Sequence, residues 1–291
     1  MFTNNAIPRR FAVAAHPSIP EAISEAEEIS RFLLAQGAES AVTAIIQDRS
    51  LRQRVQACEF DLLIALGGDG TMLRAGNLCA PAGIPVLGIN LGRFGFLTEV
   101  SRTEWRTALP RVLSGDFRLE ERMMLRAVHR RGEAVLSCLT YLNEAVVCRG
   151  KSVRPIQVTA RVDGSLLTTY VADGLIAATP TGSTAYALAC GGPIMPPELR
   201  NILICPIAPH LSVDRAIILS EGVQVELVVH TDHEAVISVD GRPPIDLVDG
   251  DTVSVSIAEC AARFARLRPQ GYFYANITAY MEQHPSTGKR S

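Results

Sequence analysis

Gly67-Gly68-Asp69-Gly70-Thr71 is the stretch of this chain whose residue types could do phosphate chemistry. Glycines at these positions let the backbone turn tightly and bring its N–H groups against phosphate oxygens. A helix beginning there would add the favourable end of its dipole. Asp69 is the odd member. A carboxylate among phosphate-binding amides repels its ligand unless it holds a metal or takes a proton from an attacking hydroxyl, which phosphoryl transfer requires. The plainer reading is an Asp-Gly turn between a strand and a helix.

A second stretch, Thr179-Pro180-Thr181-Gly182-Ser183-Thr184, precedes an Ala/Leu-rich run. Its hydroxyls and glycine make a donor-dense turn suited to a phosphate or ribose, with Tyr186 placed to stack on a base. Taken alone, it is equally an N-cap followed by a buried aromatic. Asn143-Glu144 is a third polar feature, at the end of the apolar-rich residues 135–142. A carboxylate accepting from a vicinal diol, beside an amide reading a base edge, suits nucleoside recognition, although an exposed polar pair at a strand end is commoner. Gly150-Lys151-Ser152 looks like the end of a P-loop, but the earlier glycine that motif needs falls at Ala145. G-x-G-x-x-G is absent, so a dehydrogenase-type dinucleotide fold loses its main support. The six histidines show no metal spacing.

The elements that must carry these residues are legible in the patterning. The run at 61–66 is of the buried parallel-strand type and leads directly into Gly67, and 72–78 is helix-compatible. Strands are expected at 11–15, 41–46 and 85–90, and a helix at 21–36 with Ile23, Ile29, Phe32 and Leu33 on one side and Gly37 ending it. Ser101 with Glu104 reads as a capping box opening a helix that carries Trp105. These are βαβ units around a parallel sheet. After Phe117 the texture becomes period-two, with turns at Asp163-Gly164, Asp240-Gly241 and Asp249-Gly250-Asp251, which argues an antiparallel second domain. The expected division is an α/β domain at 1–100, a β-rich domain at 101–269, and a C-terminal segment at 270–291 that packs back on the first. Residues 272–281 are expected to be helical and 285–291 a polar tail.

Composition limits the function classes. Apolar residues at 47% and charged residues at 20% exclude a disordered or low-complexity chain. The 28 Lys and Arg against 30 Asp and Glu leave a net charge of −2, so no global field draws the chain to nucleic acid or anionic lipid. Any phosphate must be held locally. Seven scattered cysteines without a C-x-x-C pair fit a reducing cytoplasm. No run approaches the ~18–20 apolar residues of a membrane span. His16, Pro17 and Pro20 cut the first apolar stretch short of a signal-peptide core. A cytoplasmic protein without nucleic-acid or membrane partners is expected.

Together, Gly67 to Thr71, the segment from Gly88 to Leu97, Asn143-Glu144 and the run from Asp173 to Pro193 resemble the NAD kinase family. The first motif is shared with lipid kinases and phosphofructokinases, and the combination is specific. The resemblance implies an N-terminal Rossmann-like α/β domain, a C-terminal β-sandwich and an active site between them. It implies transfer of a phosphoryl group from ATP or polyphosphate to the 2′-hydroxyl of the adenosine ribose of NAD, with a divalent cation such as Mg2+. Asp69 is then the proton acceptor, beside the phosphate loop of Gly67, Gly68, Gly70 and Thr71. The implied NAD contacts are Asp69, Gly70, Arg74, Asn143, Glu144, Arg154, Asp173, Thr181, Thr184, Ala185, Tyr186, Ala187, Leu188, Ala189, Ala208 and Arg242, with no protein metal ligands. Val171, Ala189 and Arg242 depart from the residues usual in the family, and Arg242 adds a cation. A homodimer or homotetramer through the β-rich domain is also implied. The rivals are a lipid or sugar kinase sharing the glycine loop, which leaves Asn143, Glu144 and Tyr186 unexplained, and a nucleotide sensor that does no chemistry.

Overall fold

Runs of uninterrupted apolar residues build the centre of the first sheet. A computed structural model describes residues 7–92, 95–210, 213–269 and 271–283. The chain opens with β1 (Arg10–Ala15), α1 (Pro20–Ala35), β2 (Ser40–Ile45), α2 (Arg49–Gln56), β3 (Leu62–Leu66), α3 (Asp69–Cys79), β4 (Val86–Asn90), β5 (Val100–Ser101), α4 (Trp105–Leu113) and β6 (Arg118–Arg122). Every residue of β3 and β4 is buried, as parallel strands covered on both faces must be. β1 lies between β2 and β3, parallel to both, and β3 is parallel to β4.

Helix α1 buries Ala22, Ala26, Ile29 and Leu33 at helical spacing. Ile23, expected on that stripe, is instead exposed, because the smaller Ala22 and Ala26 face the sheet. Gly37, at φ 92°, follows the helix end in the left-handed region. Half of the expected capping box forms. The Glu104 carboxylate accepts from the Ser101 N–H at 3.1 Å, but the Ser101 hydroxyl donates to that carboxylate at 2.7 Å instead of capping the helix. Trp105 is buried, and its indole N–H donates to Glu25 at 2.6 Å.

The chain continues as β7 (Leu125–Arg131), β8 (Ala134–Tyr141), β9 (Glu144–Arg149), β10 (Ile156–Val162), β11 (Ser165–Ala172), β12 (Gly174–Ala178), α5 (Tyr186–Ala189), β13 (Asn201–Ile207), β14 (Ile217–Ser220), β15 (Val225–His230), β16 (Ala235–Val239), β17 (Ile245–Leu247) and β18 (Thr252–Ile257). These strands form two six-stranded sheets, ordered β11-β10-β15-β18-β7-β8 and β14-β13-β12-β9-β16-β17. Alternate residues such as Leu125 and Ala127, Val225 and Leu227, and Ala235 and Ile237 point into one core shared by both sheets, the pattern of a β-sandwich. The Asp163-Gly164 hairpin turn has φ of 49° and 80°, as a two-residue primed turn demands. A buried polar centre joins β7 to the turn before β18. Asp251 accepts from Arg131 twice at 2.9 Å and from the Val248 N–H at 2.9 Å, with His129 Nε2 also at 2.9 Å.

The chain ends with β19 (Ala262–Arg266) and α6 (Tyr272–Gln283). β19 enters the first sheet parallel to β4, with Phe264 opposite Val86, and β6 follows at the edge. Two compact units result, residues 1–121 with 261–291, and residues 122–260. The division therefore falls later than the 100/101 boundary expected from sequence, and 261–269 joins the first unit. The cause is that α4 packs on α1 through Trp105 and Phe32, while β6 and β19 complete the first sheet. In α6, the Phe273 ring lies 6.0 Å from that of Phe96. The polar tail expected at 285–291 lies outside the described residues.

Candidate active site

In the first unit, β3 ends at Leu66 and α3 begins at Asp69, so Gly67 and Gly68 form the whole connection. Gly67 is buried and donates to the Ile89 carbonyl at 3.0 Å, whereas Gly68 and Gly70 are exposed at the helix N-terminus. A helix leaves its first N–H groups without internal acceptors, and this end is flanked by the exposed Gly68 and Gly70. Thr71 is buried, and its hydroxyl has no hydrogen-bond partner among the described residues. Arg74 is exposed one turn into α3.

The Asp69 carboxylate is not pointing loosely into solvent. One oxygen accepts from the Phe96 N–H at 2.9 Å and the other from the Leu97 N–H at 3.0 Å. Gly95 comes so close that a methyl group there would stand 2.1 Å from an Asp69 oxygen. Thr98 closes the same loop, its hydroxyl 3.1 Å from the Gly95 N–H. An ionised carboxylate can accept about four hydrogen bonds. Two main-chain donors therefore orient Asp69 and still leave it able to accept from a substrate hydroxyl. Leu97 also accepts from Arg266 at 3.1 Å, and Arg266 is held by Glu120 and Glu99.

In the second unit, the two candidate recognition segments converge. The Thr179 N–H donates to the Asn143 carbonyl at 2.9 Å, and the Thr179 hydroxyl donates to the Leu142 carbonyl. The Asp240 carboxylate accepts from three consecutive peptides, Leu142 at 2.8 Å, Asn143 at 2.9 Å and Glu144 at 3.1 Å. Asp240 thus fixes the backbone of the Asn143-Glu144 pair. In the sequence it was legible only as a turn residue, because its partners lie 96 to 98 residues away.

Burial and the neighbouring Asp240 push the Glu144 carboxyl up to about 8, with the Tyr186 backbone N–H opposing. Its Oε2 is buried without a partner among the described residues. Burial and Asp240 thus favour the neutral form of Glu144. Tyr186 is 45% exposed, as a ring available for stacking must be.

The hydroxyl-rich turn departs from the expected donor-dense surface. Thr184 donates to the Thr181 carbonyl and Ser183 to the Pro180 carbonyl, while Thr181 accepts from the buried Arg122. The Ser183 and Thr184 hydroxyls thus close their own turn, and the Thr181 hydroxyl is engaged by Arg122. The Ala187 side chain is buried in an apolar cluster with Met195 and Cys205, while Ala185, Leu188 and Ala189 are half-buried or exposed. Asp173 forms an ion pair with Arg149 at 3.0 Å. Arg154 is exposed and pairs with Asp232 at 3.3 Å. Ala208 sits at a φ of 45°, rare for a residue with a side chain. Arg242 donates to the Thr140 carbonyl at 3.2 Å. A cavity of about 240 Å³ in the first unit, bordered by Glu99, Glu104 and Arg111, contains none of these residues.

Among the described residues no group of three or more Asp, Glu, His or Cys could hold a metal. Mg2+ commonly binds through phosphates, waters and at most one or two carboxylates, so a cation carried on nucleotide phosphates would need no such cluster.

Residues 11–117 match the ATP-NAD kinase N-terminal domain family, and residues 142–267 match the ATP-NAD kinase C-terminal domain family. An NAD kinase of Heliobacterium modesticaldum is 44% identical over 233 residues, 80% of this chain and 82% of the relative. Among solved structures, a yeast NADH kinase complexed with NADH has a TM-score of 0.79 at 26% identity, covering 96% of this chain and 89% of that one. An Archaeoglobus fulgidus NAD kinase in complex with ATP has a TM-score of 0.72 at 25% identity, covering 94% and 100% respectively.

Proposed function

The chain belongs to the NAD kinase family, and on that premise we propose that it uses ATP to phosphorylate the 2′-hydroxyl of the adenosine ribose of NAD, with Asp69 as proton acceptor. The observation that carries the residue assignment is the Asp69 carboxylate at the start of α3, gripped by the N–H groups of Phe96 and Leu97. A base held so rigidly is pre-oriented toward one hydroxyl.

Phosphoryl transfer passes through a loose transition state, so positioning and charge stabilisation supply most of the rate. In this reading Gly68, Gly70 and the first turn of α3 hold phosphate oxygens, with Arg74 adding a cation. Asp69 orients the 2′-hydroxyl and takes its proton as the oxygen attacks the γ-phosphorus of ATP, whose bond to the β,γ-bridging oxygen breaks to release ADP. Asn143 and Glu144 read the adenosine, and Tyr186 offers a ring to a base. Asp173, Arg154, Thr181, Thr184 to Ala189, Ala208 and Arg242 complete the dinucleotide contacts. The triphosphate's charge would be offset by a divalent cation bound to its oxygens. The same reading carries a homodimer or homotetramer and a cytoplasmic location, the former checked by light scattering.

The test is a coupled assay of NADP or NADPH formation by the purified protein, with NAD and NADH as acceptors against ATP and polyphosphate as donors, with and without Mg2+. Formation of NADP from NAD and ATP supports the assignment, and failure of every combination removes it.

A further inference from the structure

Leu97 is held by both of its main-chain polar groups. Its N–H donates to Asp69 Oδ1 at 3.0 Å, and its carbonyl accepts from Arg266 Nη1 at 3.1 Å. Arg266 closes β19 and lies 169 residues further along the chain, yet it is only 5% exposed. Its orientation is over-determined. Nε and Nη2 both donate to Glu120 Oε1, at 3.1 and 2.9 Å, and Nη1 lies 3.3 Å from Glu99 Oε2.

Those carboxylates are themselves fixed. Glu99 Oε1 accepts from the Leu267 and Arg268 N–H groups at 2.7 Å each, and Glu120 Oε2 accepts from Arg118 at 3.2 Å. Two guanidinium groups therefore balance two carboxylates, as a buried charge requires. A network serving only to tie β19 to the sheet could be completed by the glutamates alone. Here one donor of the planar fork goes to the carbonyl of the residue whose N–H grips Asp69. Lysine, a single flexible point charge, cannot serve both glutamates and that carbonyl in one geometry.

We propose that Arg266 is a positioning residue for phosphoryl transfer. It clamps the Leu97 carbonyl and thereby sets the main-chain donors that aim the Asp69 carboxylate. This rests on Asp69 being the proton acceptor. A misplacement of about 1 Å at a reacting group can cost on the order of 10²-fold in rate. Arg266→Lys is therefore expected to lower kcat about 10- to 100-fold, while KM for NAD changes less than about twofold.

The experiment is a double-mutant cycle in the full chain, comparing wild type, Asp69→Asn, Arg266→Lys and the double variant for kcat and KM, with thermal unfolding measured on each. Once the base is gone, its aim no longer matters. The double variant should then turn over within about twofold of Asp69→Asn. An unchanged kcat in Arg266→Lys, or losses that multiply in the double variant, overturns the proposal. Near wild-type turnover in Asp69→Asn instead overturns the reading of Asp69 itself. Should Arg266→Lys fail to fold, Glu120→Gln completes the cycle, since it keeps the guanidinium and loosens its clamp. The same non-additive pattern supports the proposal, and multiplying losses or an unchanged kcat overturn it.

Discussion

Gly182 lies against Asn143 so closely that a methyl group on it would stand 2.1 Å from the Asn143 carbonyl oxygen. The hydroxyl-rich turn and the Asn143-Glu144 pair are thus one packed object, joined backbone to backbone. Gly182→Ala should force them apart. Overpacking of this kind costs about 1–3 kcal/mol. The expected result is a lowered unfolding temperature together with weaker NAD binding, read by calorimetry. Unchanged stability and affinity would mean the two segments move independently.

Asp240 holds the same pair from the other side through three peptide N–H groups. Asp240→Ala strands these donors, each buried donor left unsatisfied costing about 1–3 kcal/mol. NAD affinity should fall about tenfold or more, since each factor of ten is about 1.4 kcal/mol. A variant that folds and binds NAD as the wild type does would show that Asp240 positions nothing.

Glu144 supplies a pH dependence. Its carboxyl is raised from 4.5 to about 8 in the folded chain by burial and by Asp240. The folded state therefore binds a proton that the unfolded state has released. Its contribution to stability is full below pH 4.5 and declines as the pH rises toward 8. Glu144→Gln is neutral throughout and lacks this decline. Relative to wild type, its unfolding temperature should rise between pH 5 and pH 9, and a constant difference across that range would contradict the shift.

At Asp251 the sign reverses. The side-chain hydrogen bonds of Arg131 and His129 and the Val248 N–H hold its carboxyl well below the usual range despite burial. Its stabilisation is present above 3.8 and is lost as the pH falls through its folded value. Asp251→Ala leaves His129 buried beside a void. It should cost about 3–5 kcal/mol, a drop in unfolding temperature on the order of 10 °C. A drop of under two degrees would show the cluster to be incidental.

Much of the scaffold was legible because its elements are locally determined. β3 and β4 are continuous apolar runs, and Asp163-Gly164 carries its turn geometry in its residue types. β6 was not legible. Arg118–Arg122 is mostly charged, and its sheet neighbour β19 lies far along the chain, with Glu120 accepting from Arg118 and from Arg266 146 residues away. Candidate chemistry was visible where the groups are adjacent in sequence, as in Gly67 to Thr71 and Asn143-Glu144. The supporting residues Asp240, Glu99 and Arg266 were hidden, since each acts through partners about 95 to 170 positions away. The threonines and serine of the 179–184 turn read as ligand donors, yet they mostly serve their own backbone.

NADP formation by Asp69→Asn, measured beside wild type at saturating NAD and ATP, tests whether Asp69 is the base. Asparagine presents an amide NH2 to one of the two main-chain donors, so NAD binding and thermal unfolding are measured on the same preparation. Loss of a general base typically costs on the order of 10²- to 10⁴-fold. The kcat of Asp69→Asn is expected to fall by that much, with NAD affinity within about threefold of wild type. Turnover close to that of the wild type would contradict that role for Asp69.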